Sequence, residues 1–243
     1  MRLSVIIPAY NEEKNIKATL DDIYDYLSKK HVDHEIIVVV DGAKDRTAEV
    51  VSEAIKMIPT LKLIDIKENH GKGYVVRRGM LAAQGELRLF TDADNATTID
   101  NLERLLPFIQ QGYDVVIGSI GLPGKEVKAG SEPAYRILFG KLGNLFLRIF
   151  IISGIHDTQR GFKLFTAKAA TAIFPHQKIN RWAFDVELLV LARKLGFKIK
   201  EVSIKWANNS ETSKIKASDY PKFLLRCLKI RWDLVTGKYD LVN

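Results

Sequence analysis

The sequence predicts one α/β domain built on a doubly wound, mostly parallel sheet with helices on both faces. Its 243 residues are enough for one sizeable domain and too few for two ordinary domains with a linker. Hydrophobic residues make up 47% of the chain and charged residues 27%, which is the composition of a globular protein. Short apolar runs alternate with segments of helical periodicity, as in parallel strands joined by crossover helices. We therefore expect a single domain over residues 1–243.

The first half of the chain carries this alternation. Four apolar runs are typical of buried strands: Leu3–Pro8, Glu35–Val40, Leu61–Ile66 and Leu87–Thr91. Three helices are predicted between them, by the apolar stripes Ile16, Leu20, Ile23 and Leu27, then Ala48, Val51, Ile55 and Ile58, and by the segment Tyr74–Ala83. Strand, helix and strand repeat in the order that gives a parallel sheet.

Polar and acidic residues follow three of these strands, at the edge where doubly wound sheets bind ligands. The loops are Pro8-Ala9-Tyr10-Asn11-Glu12-Glu13, Asp41-Gly42 and Asp92-Ala93-Asp94-Asn95. Each alone is compatible with a turn or a helix cap. Together, the carboxylates would repel one another unless a cation or a polar ligand compensated their charge. Asp92 and Asp94 supply the oxygen ligands that Mg²⁺ or Mn²⁺ prefers.

A glycine-rich segment, Gly71-Lys72-Gly73, opens the third predicted helix. Glycines let a backbone approach a phosphate closely, and a helix N-terminus and a lysine both favour anions. The spacing is neither that of a Walker A loop nor that of a Rossmann fingerprint. A phosphate contact and a plain turn are both compatible with it.

The positive charge of the chain calls for an anionic partner or surface. The formal net charge is +8, from 37 Lys and Arg against 29 Asp and Glu. Much of it lies in residues 135–152 and 213–243, where basic side chains alternate with Leu, Ile and Phe. This mixture suits an anionic membrane surface better than a nucleic acid, so we expect no nucleic-acid partner.

Two segments are predicted to lie on the membrane as amphipathic helices. The first, Ile137–Ile152, has a narrow polar stripe of Lys141, Asn144 and Arg148 and is too short to span a bilayer. The second places four apolar residues on one face, Phe223, Cys227, Ile230 and Leu234, and three basic ones on another, Lys222, Arg226 and Lys229. Packing of both segments on the core or on a sister subunit is the alternative.

The compartment follows from the cysteine count and the N-terminus. A single cysteine, Cys227, excludes a disulfide within the chain and a cysteine-based metal cluster. The apolar run at the N-terminus meets Asn11, Glu12 and Glu13 too soon for a signal peptide or a spanning helix. We expect a cytoplasmic protein, peripheral on the cytoplasmic face of a membrane.

Several motifs together resemble a known enzyme family. Residues 4–13 (SVIIPAYNEE), Asp41-Gly42, Gly71-Lys72-Gly73 and Asp92-Ala93-Asp94 are similar to the family-two glycosyltransferases of the GT-A fold. Residues 156–165 (HDTQRGFKLF), 181–188 (RWAFDVEL), Ser213-Lys214 and 230–237 (IRWDLVTG) resemble the branch that glucosylates dolichyl phosphate, which is related to a branch that makes dolichyl-phosphate mannose. The resemblance covers nearly the whole chain.

The resemblance implies roles for the residues that match. It implies a nucleotide-sugar-binding half at 1–120, an acceptor and catalytic half at 121–212 with an interfacial helix near 135–152, and a basic amphipathic segment at 213–243. The nucleotide sugar would contact Pro8, Ala9, Tyr10, Glu12, Asp41, Lys72, Asp92, Ala93 and Asp94, with the metal on Asp92 and Asp94. The catalytic set would be Asp92, Asp94, Asp185 and Glu187, and Lys214 would lie near the acceptor phosphate.

The sequence departs from the family pattern at three places. Val40 replaces the first of two acids before Gly42, and Ile120 replaces an arginine expected to bind phosphate. Glu132-Pro133 stands where a basic residue often precedes the amphipathic helix. We expect Arg136, Arg160 and Lys163 to substitute for the missing charge.

The resemblance implies an inverting, metal-dependent transfer of a hexose, glucose from UDP-glucose in the first place, to a polyprenyl or dolichyl phosphate. Such a phosphate is largely dianionic at neutral pH and attacks without a general base. Were the acceptor a sugar hydroxyl, Asp185 would be the base. Two alternatives stay open: mannose transfer from GDP-mannose, and a non-catalytic nucleotide-sugar-binding membrane adaptor. A membrane-spanning partner or a homo-oligomer is compatible with either.

Overall fold

The computed structural model describes residues 2–123, 126–128, 143, 145–207, 219–239 and 241. Its strands are β1 (Leu3–Ala9), β2 (His34–Asp41), β3 (Leu61–Ile66), β4 (Leu87–Thr91), β5 (Val115–Ser119), β6 (Glu126–Lys128), β7 (Phe162–Thr166), β8 (Ile199–Ser203) and β9 (Lys205–Ala207). Its α-helices are α1 (Ile16–Lys29), α2 (Thr47–Ala54), α3 (Lys72–Ala82), α4 (Leu102–Gln110), α5 (Ala167–Ile173), α6 (Phe184–Lys194) and α7 (Asp219–Val235). Short 3₁₀ turns lie at Ile99–Asn101 and Phe174–His176, and a π-helical turn at Leu147–Ile151.

Within the described residues, seven strands form one sheet in the order β3-β2-β1-β4-β7-β5-β8. Strands β1 to β4 pair in parallel, as do β5 and β8. Strand β7 runs antiparallel to both of its neighbours, β4 and β5. A separate parallel ribbon joins β6 to β9. The prediction of a mostly parallel sheet is therefore confirmed.

Two buried layers cover the two faces of the sheet. Alternate residues of β1 point to opposite sides, so Ile6 packs with α3, α5 and α6, whereas Val5 and Ile7 pack with α1 and α4. The strands β1 and β2 are buried along their whole length, as expected of central parallel strands with helices on both faces.

The reversed strand β7 decides what lies at the ligand-binding edge. Its first residue, Phe162, pairs with Thr91, the last residue of β4. The N-terminal end of β7 therefore lies beside the C-terminal end of β4. Arg160 and Gly161, which precede β7, are thereby placed next to the Asp92–Asp94 loop.

Most predicted bounds lie within one or two residues of those in the structure, and one helix is shorter than predicted. The strand at Leu61–Ile66 is as predicted, and helix α3 begins at Lys72 rather than Tyr74. The helical stripe through Ile55 and Ile58 was wrong, because α2 ends at Ala54. Ile55 is 38% exposed, and Ile58 is buried in the turn that leads to β3.

Helix α7 corrects one membrane prediction. Phe223, Cys227 and Ile230, predicted to face the bilayer, are buried against the core, so the alternative of core packing holds for this face. In the first predicted amphipathic segment, Lys141 and Asn144 lie outside the described residues, and Arg148 is exposed. No helix in the described part of the chain is long and apolar enough to cross a membrane.

A buried carboxylate, Glu35, ties the first three strands to the turn before β4. Its Oε1 accepts hydrogen bonds from the Ser4 hydroxyl and the Gln84 amide, both at 2.7 Å, and its Oε2 accepts one from the Lys62 ammonium at 2.7 Å. Burial alone would raise the pKa of Glu35, but the hydrogen bonds from Lys62, Ser4 and Gln84 bring it below its ordinary value.

Replacing Glu35 with alanine is expected to lower the free energy of unfolding by about 3 kcal/mol near neutral pH, because buried donors lose their acceptor. The folded-state pKa of Glu35 lies below its ordinary 4.5, so this stabilisation is present above pH 4.5 and is lost as the pH falls through the folded-state pKa. Urea unfolding of both proteins over a pH series measures the difference. The exposed Glu53→Ala is the control, and a difference that stays constant with pH would contradict this assignment.

Candidate active site

The candidate site lies at the C-terminal edge of β1, β2 and β4. Asp41 ends β2 and is buried, and its carboxylate accepts hydrogen bonds from the backbone amides of His70 and Gly71, both at 2.8 Å. The Asn69 side-chain amide donates to the same carboxylate at 3.0 Å. Asp41 therefore holds the glycine-rich segment in place at the start of α3.

The glycine at position 71 is required by its surroundings. Its φ is +104°, and an added Cβ would lie 2.4 Å from Cγ of Arg181 and 2.6 Å from the carbonyl oxygen of Asn180. A side chain here would have to push this loop away. The close approach fixes where α3 begins and directs Lys72 towards the end of β4.

Lys72 and Asp92 form an ion pair at the centre of the site. Their side chains are 41% and 38% exposed, so both are accessible from solvent. Burial alone would lower the pKa of Lys72, but the negative charges of Asp92, Asp185 and Asp94 raise it above its ordinary value. The Lys72 ammonium therefore stays charged and offsets part of the negative charge of Asp92, Asp94 and Asp185.

The Asp92–Asp94 loop is shaped by neighbours on both sides. The Thr19 hydroxyl of α1 donates to the Ala93 carbonyl oxygen at 2.7 Å, and Asp94 Oδ1 accepts from the Ala96 amide at 3.0 Å. On the other side, a Cβ added to Gly161 would lie 2.3 Å and 2.4 Å from the two carboxylate oxygens of Asp92. Gly161 thus leaves the room that the Asp92 carboxylate occupies.

The loop after β1 is held by its own hydrogen bonds. Pro8 and Ala9 are buried in β1, and Tyr10 lies half-buried at its end. The Glu12 amide donates to the Thr47 hydroxyl at 2.8 Å, and Glu12 Oε2 accepts from Asn15 at 2.9 Å. Pro8, Ala9, Tyr10 and Glu12 thus border the site, and their contacts with a nucleotide remain predictions.

Asp185, at the start of α6, is paired with a buried lysine. Lys163 Nζ lies 2.5 Å from Asp185 Oδ1 and also donates to the Arg160 carbonyl oxygen, and the Lys163 side chain has no exposed surface. Burial raises the pKa of Asp185, and the ammonium groups of Lys163 and Lys72 oppose this shift. In this arrangement the Lys163 ammonium binds Asp185 and the Arg160 carbonyl oxygen, and its role at an acceptor phosphate stays a prediction.

Comparisons with known proteins identify the family of this chain. A family model described as glycosyl transferase family 2 matches residues 4–174. The chain belongs to glycosyl transferase family 2. The matched range includes the loops after β1, β2 and β4 and the whole of β7. Most residues of the candidate site therefore lie in the part of the chain that matches the family model.

Individual relatives extend the similarity to α6 and α7. A dolichyl-phosphate beta-glucosyltransferase of Trichomonas vaginalis is 39% identical over 242 residues, which cover 94% of this chain and 72% of the relative. The human dolichyl-phosphate beta-glucosyltransferase is 34% identical over 99% of this chain and 78% of its own length.

A solved structure with the same fold is glucosyl-3-phosphoglycerate synthase from Mycobacterium tuberculosis, in complex with Mn²⁺, UDP-glucose and phosphoglyceric acid. It has a TM-score of 0.69 and 16% identity, and covers 99% of this chain and 80% of that one. At this identity the likeness shows the fold alone.

This family-2 chain contains a polar network that sequence reasoning missed. Glu201 of β8 accepts from the His156 and Asp157 amides at 2.8 to 3.0 Å. Asp157 Oδ2 in turn accepts from Arg160 Nε at 3.0 Å, and the Arg160 guanidinium lies 4.5 Å from the centre of the Trp206 ring. The motif at residues 156–165 was visible in the sequence, but the role of Glu201 depends on a contact between distant segments.

Glu187, for which a catalytic role was predicted, is bonded to donors within the protein. It has no exposed surface, and its carboxylate accepts from the Lys178 and Ile179 amides at 3.0 and 2.9 Å and from the Tyr239 hydroxyl at 2.8 Å. Burial raises the pKa of Glu187, although these donors oppose the shift. These contacts give Glu187 a structural role. Arg136 and Lys214, predicted to bind the acceptor phosphate, lie outside the described residues.

Replacing Glu187 with alanine is expected to lower the free energy of unfolding by about 3 kcal/mol, since three buried donors lose their acceptor. Tyr239→Phe removes one of the three hydrogen bonds and should cost about 1 kcal/mol. Urea unfolding measures both. A Glu187→Ala protein as stable as the unmodified chain would contradict the structural role.

Proposed function

We propose that this chain transfers a glucosyl group from UDP-glucose to the phosphate of a dolichyl or other polyprenyl phosphate. The observation that carries the proposal is the 39% identity, over 94% of the chain, to a dolichyl-phosphate beta-glucosyltransferase. The arrangement of Lys72, Asp92 and Asp94 at the ligand-binding edge of the sheet supports a diphosphate-containing donor.

The residues at this edge fit a divalent cation. Asp92 and Asp94 supply carboxylates from one loop, and the absence of a side chain at Gly161 makes room for the Asp92 carboxylate. The described residues contain no group of three or more His, Cys, Asp or Glu side chains that could hold a metal ion. Ions such as Mg²⁺ use waters and substrate phosphates as further ligands, so two carboxylates suffice. When bound, the ion would neutralise charge on the departing nucleoside diphosphate.

The chain's own residues support a reaction without a general base. An oxygen of the acceptor phosphate attacks the anomeric carbon, the bond from that carbon to the UDP oxygen breaks, and UDP leaves with the electron pair. The acceptor is already largely dianionic at neutral pH. Asp185 is buried and bonded to Lys163, an arrangement that suits positioning rather than proton abstraction. Attack from the face opposite UDP inverts the anomeric centre.

The acceptor side is supported by Arg160 in the described residues. Its side chain is 29% exposed, and it is held by Asp157 and Trp206 beside Gly161 and the Asp92 loop. A guanidinium in a fixed orientation is suited to a phosphate. Arg136 and Lys214 remain further candidates. Because the acceptor is a lipid, the proposal includes peripheral association with a membrane, on its cytoplasmic face.

The experiment that tests this function combines a donor panel with a soluble acceptor. Pure protein, Mg²⁺ or Mn²⁺, radiolabelled UDP-glucose and a short-chain polyprenyl phosphate should give a product that extracts into organic solvent, and omission of the metal should abolish it. GDP-mannose in place of UDP-glucose tests the mannose alternative. UDP binding with no product from any donor would favour the adaptor instead.

Gly161→Ala tests whether UDP and Mn²⁺ bind beside the Asp92 carboxylate, which lies against Gly161. The added Cβ would lie 2.3 Å from an Asp92 oxygen, and the half-exposed carboxylate can swing away without disturbing the core. We expect binding of UDP with Mn²⁺ to weaken by about tenfold or more, and stability to change by less than about 1 kcal/mol. Titration calorimetry and urea unfolding measure the two.

Gly143→Ala is the matched control, since no described residue lies within 4 Å of a Cβ at position 143. It should bind UDP with Mn²⁺ as the unmodified chain does. Unchanged affinity in Gly161→Ala would contradict the placement of the donor beside Asp92.

A further inference from the structure

Helix α7 carries a second apolar stripe that the core does not use. Its inward side is buried through Phe223, Cys227 and Ile230. The other stripe is exposed and has helical spacing, with Leu225 66%, Leu228 46%, Trp232 64% and Val235 79% exposed. A helix that serves only to cover a core has polar residues on this side, so the outward stripe needs another explanation.

The π-helical turn beside α7 continues this surface. Leu145, Ile149 and Phe150 are each more than half exposed, while Leu147 packs inward. Arg231 of α7 donates to the Phe150 carbonyl oxygen at 2.9 Å, which joins the two segments. Seven of the ten large hydrophobic side chains that the described residues expose lie on α7 or on residues 145–150. We name them the apolar face: Leu145, Ile149, Phe150, Leu225, Leu228, Trp232 and Val235.

Basic residues border the apolar face. On α7, Lys222 and Lys229 flank the stripe on one side and Arg231 flanks it on the other, as the helical spacing of about 100° per residue requires. Arg148 is exposed on the π-helical turn. An apolar surface with a cationic border is complementary to the interface of an anionic bilayer, where acyl chains lie beneath negatively charged headgroups.

A cationic groove connects this border to the candidate active site. It has a volume of about 350 Å³ and is lined by His70, Ile179, Asn180, Arg181, Arg226 and Lys229. No carboxylate is among these lining residues, and Lys229 belongs to both the groove and the border of the apolar face. His70, another lining residue, is two residues from Lys72. The lining thus includes both a residue of the basic border and a residue of the loop before Lys72.

We propose that the apolar face inserts into the interfacial region of an anionic bilayer and that the cationic groove receives lipid phosphate groups. The proposal deepens the proposed function, because it names the surface through which a lipid-borne acceptor is met. A second copy of this chain is a poorer occupant. A two-fold contact through this face would bring the basic border of one copy close to that of the other, at a cost in repulsion.

The test uses the full chain with vesicles that hold neither donor nor acceptor. Cosedimentation with neutral phosphatidylcholine vesicles is compared with vesicles that contain about 30% phosphatidylserine, over a salt series. We expect binding to the anionic vesicles that weakens as salt rises. Equal binding to neutral and anionic vesicles, or none to either, would overturn the proposal.

A charge-insertion variant locates the contact. Leu228→Asp/Trp232→Asp should weaken partition to anionic vesicles by about tenfold or more, because both side chains leave the apolar stripe and add negative charge. Met57→Asp is the control, since Met57 is 79% exposed and lies outside the apolar face. Loss of binding in the control as well, or unchanged binding in the double variant, contradicts the proposal.

A measurement on the unmodified chain covers the case in which the double variant misfolds. Of the three tryptophans, Trp232 is the one on the apolar face, so brominated lipids should quench its fluorescence, and Trp232→Phe should remove most of that quenching. No quenching in the presence of bound vesicles would overturn the insertion.

Two further readouts separate the possible failures. If sedimentation velocity shows that the double variant turns a dimer into a monomer, the face is an interface between copies and the proposal is wrong. Transfer to a short-chain, water-soluble acceptor should be retained by the folded double variant. If neither the unmodified chain nor any variant transfers a hexose, but the unmodified chain still binds anionic vesicles, the proposed function is rejected. The proposed membrane contact would not be contradicted by that result.

Discussion

The placement of the antiparallel strand β7 between β4 and β5 is the constraint on which the candidate site depends. In an all-parallel sheet, the strand beside β4 would bring its C-terminal loop to the ligand-binding edge. Here the segment before β7 arrives instead, so Gly161 lies against the Asp92 carboxylate and Lys163 extends below it towards Asp185. The Asp92 loop of the first half of the chain and the segment before β7 in the second half meet because of this reversal. Glu201 of β8, at the edge of the sheet, accepts a hydrogen bond from the Asp157 amide and so holds the turn that leads into β7.

Two ion pairs compensate charge at the candidate site, one accessible to solvent and one buried beneath it. At the surface of the site, Lys72 pairs with Asp92, and both remain accessible. Beneath it, Lys163 pairs with Asp185 out of contact with solvent. An exposed ion pair is weak in water and is readily exchanged for other partners, whereas a buried one is costly to break. The upper pair is therefore suited to rearrange around a ligand and the lower pair to hold α6 and β7 together beneath it.

The sequence predicted the parts of the fold that local patterns determine. The apolar runs of β1 to β4 and the stripe of α1 are local signals, and the Asp92-Ala93-Asp94 and Gly71-Lys72-Gly73 segments could be placed at one edge because parallel strands share an edge. Asp41 was expected to touch a nucleotide, whereas in the structure its carboxylate binds the amides of His70 and Gly71. The burial of Glu187 and the pairing of Lys163 with Asp185 could not be predicted either, because they arise from contacts between distant segments, which spacing along the chain does not reveal.

Helix α7 was predicted correctly as amphipathic, but the face predicted to contact the membrane was wrong. The basic and apolar residues of 219–235 indicate an amphipathic helix, and the sequence predicts that its stripe of Phe223, Cys227, Ile230 and Leu234 faces the membrane. That stripe packs on the core, since Phe223 stacks on Trp182 with ring centres 4.5 Å apart, and Trp182 in turn donates to Gln159 before β7. The inner face thereby fixes the helix to the segment that leads into β7. The outer face, with Leu228 and Trp232, is then held in a constant orientation relative to the Lys72 loop, as the proposed membrane contact requires.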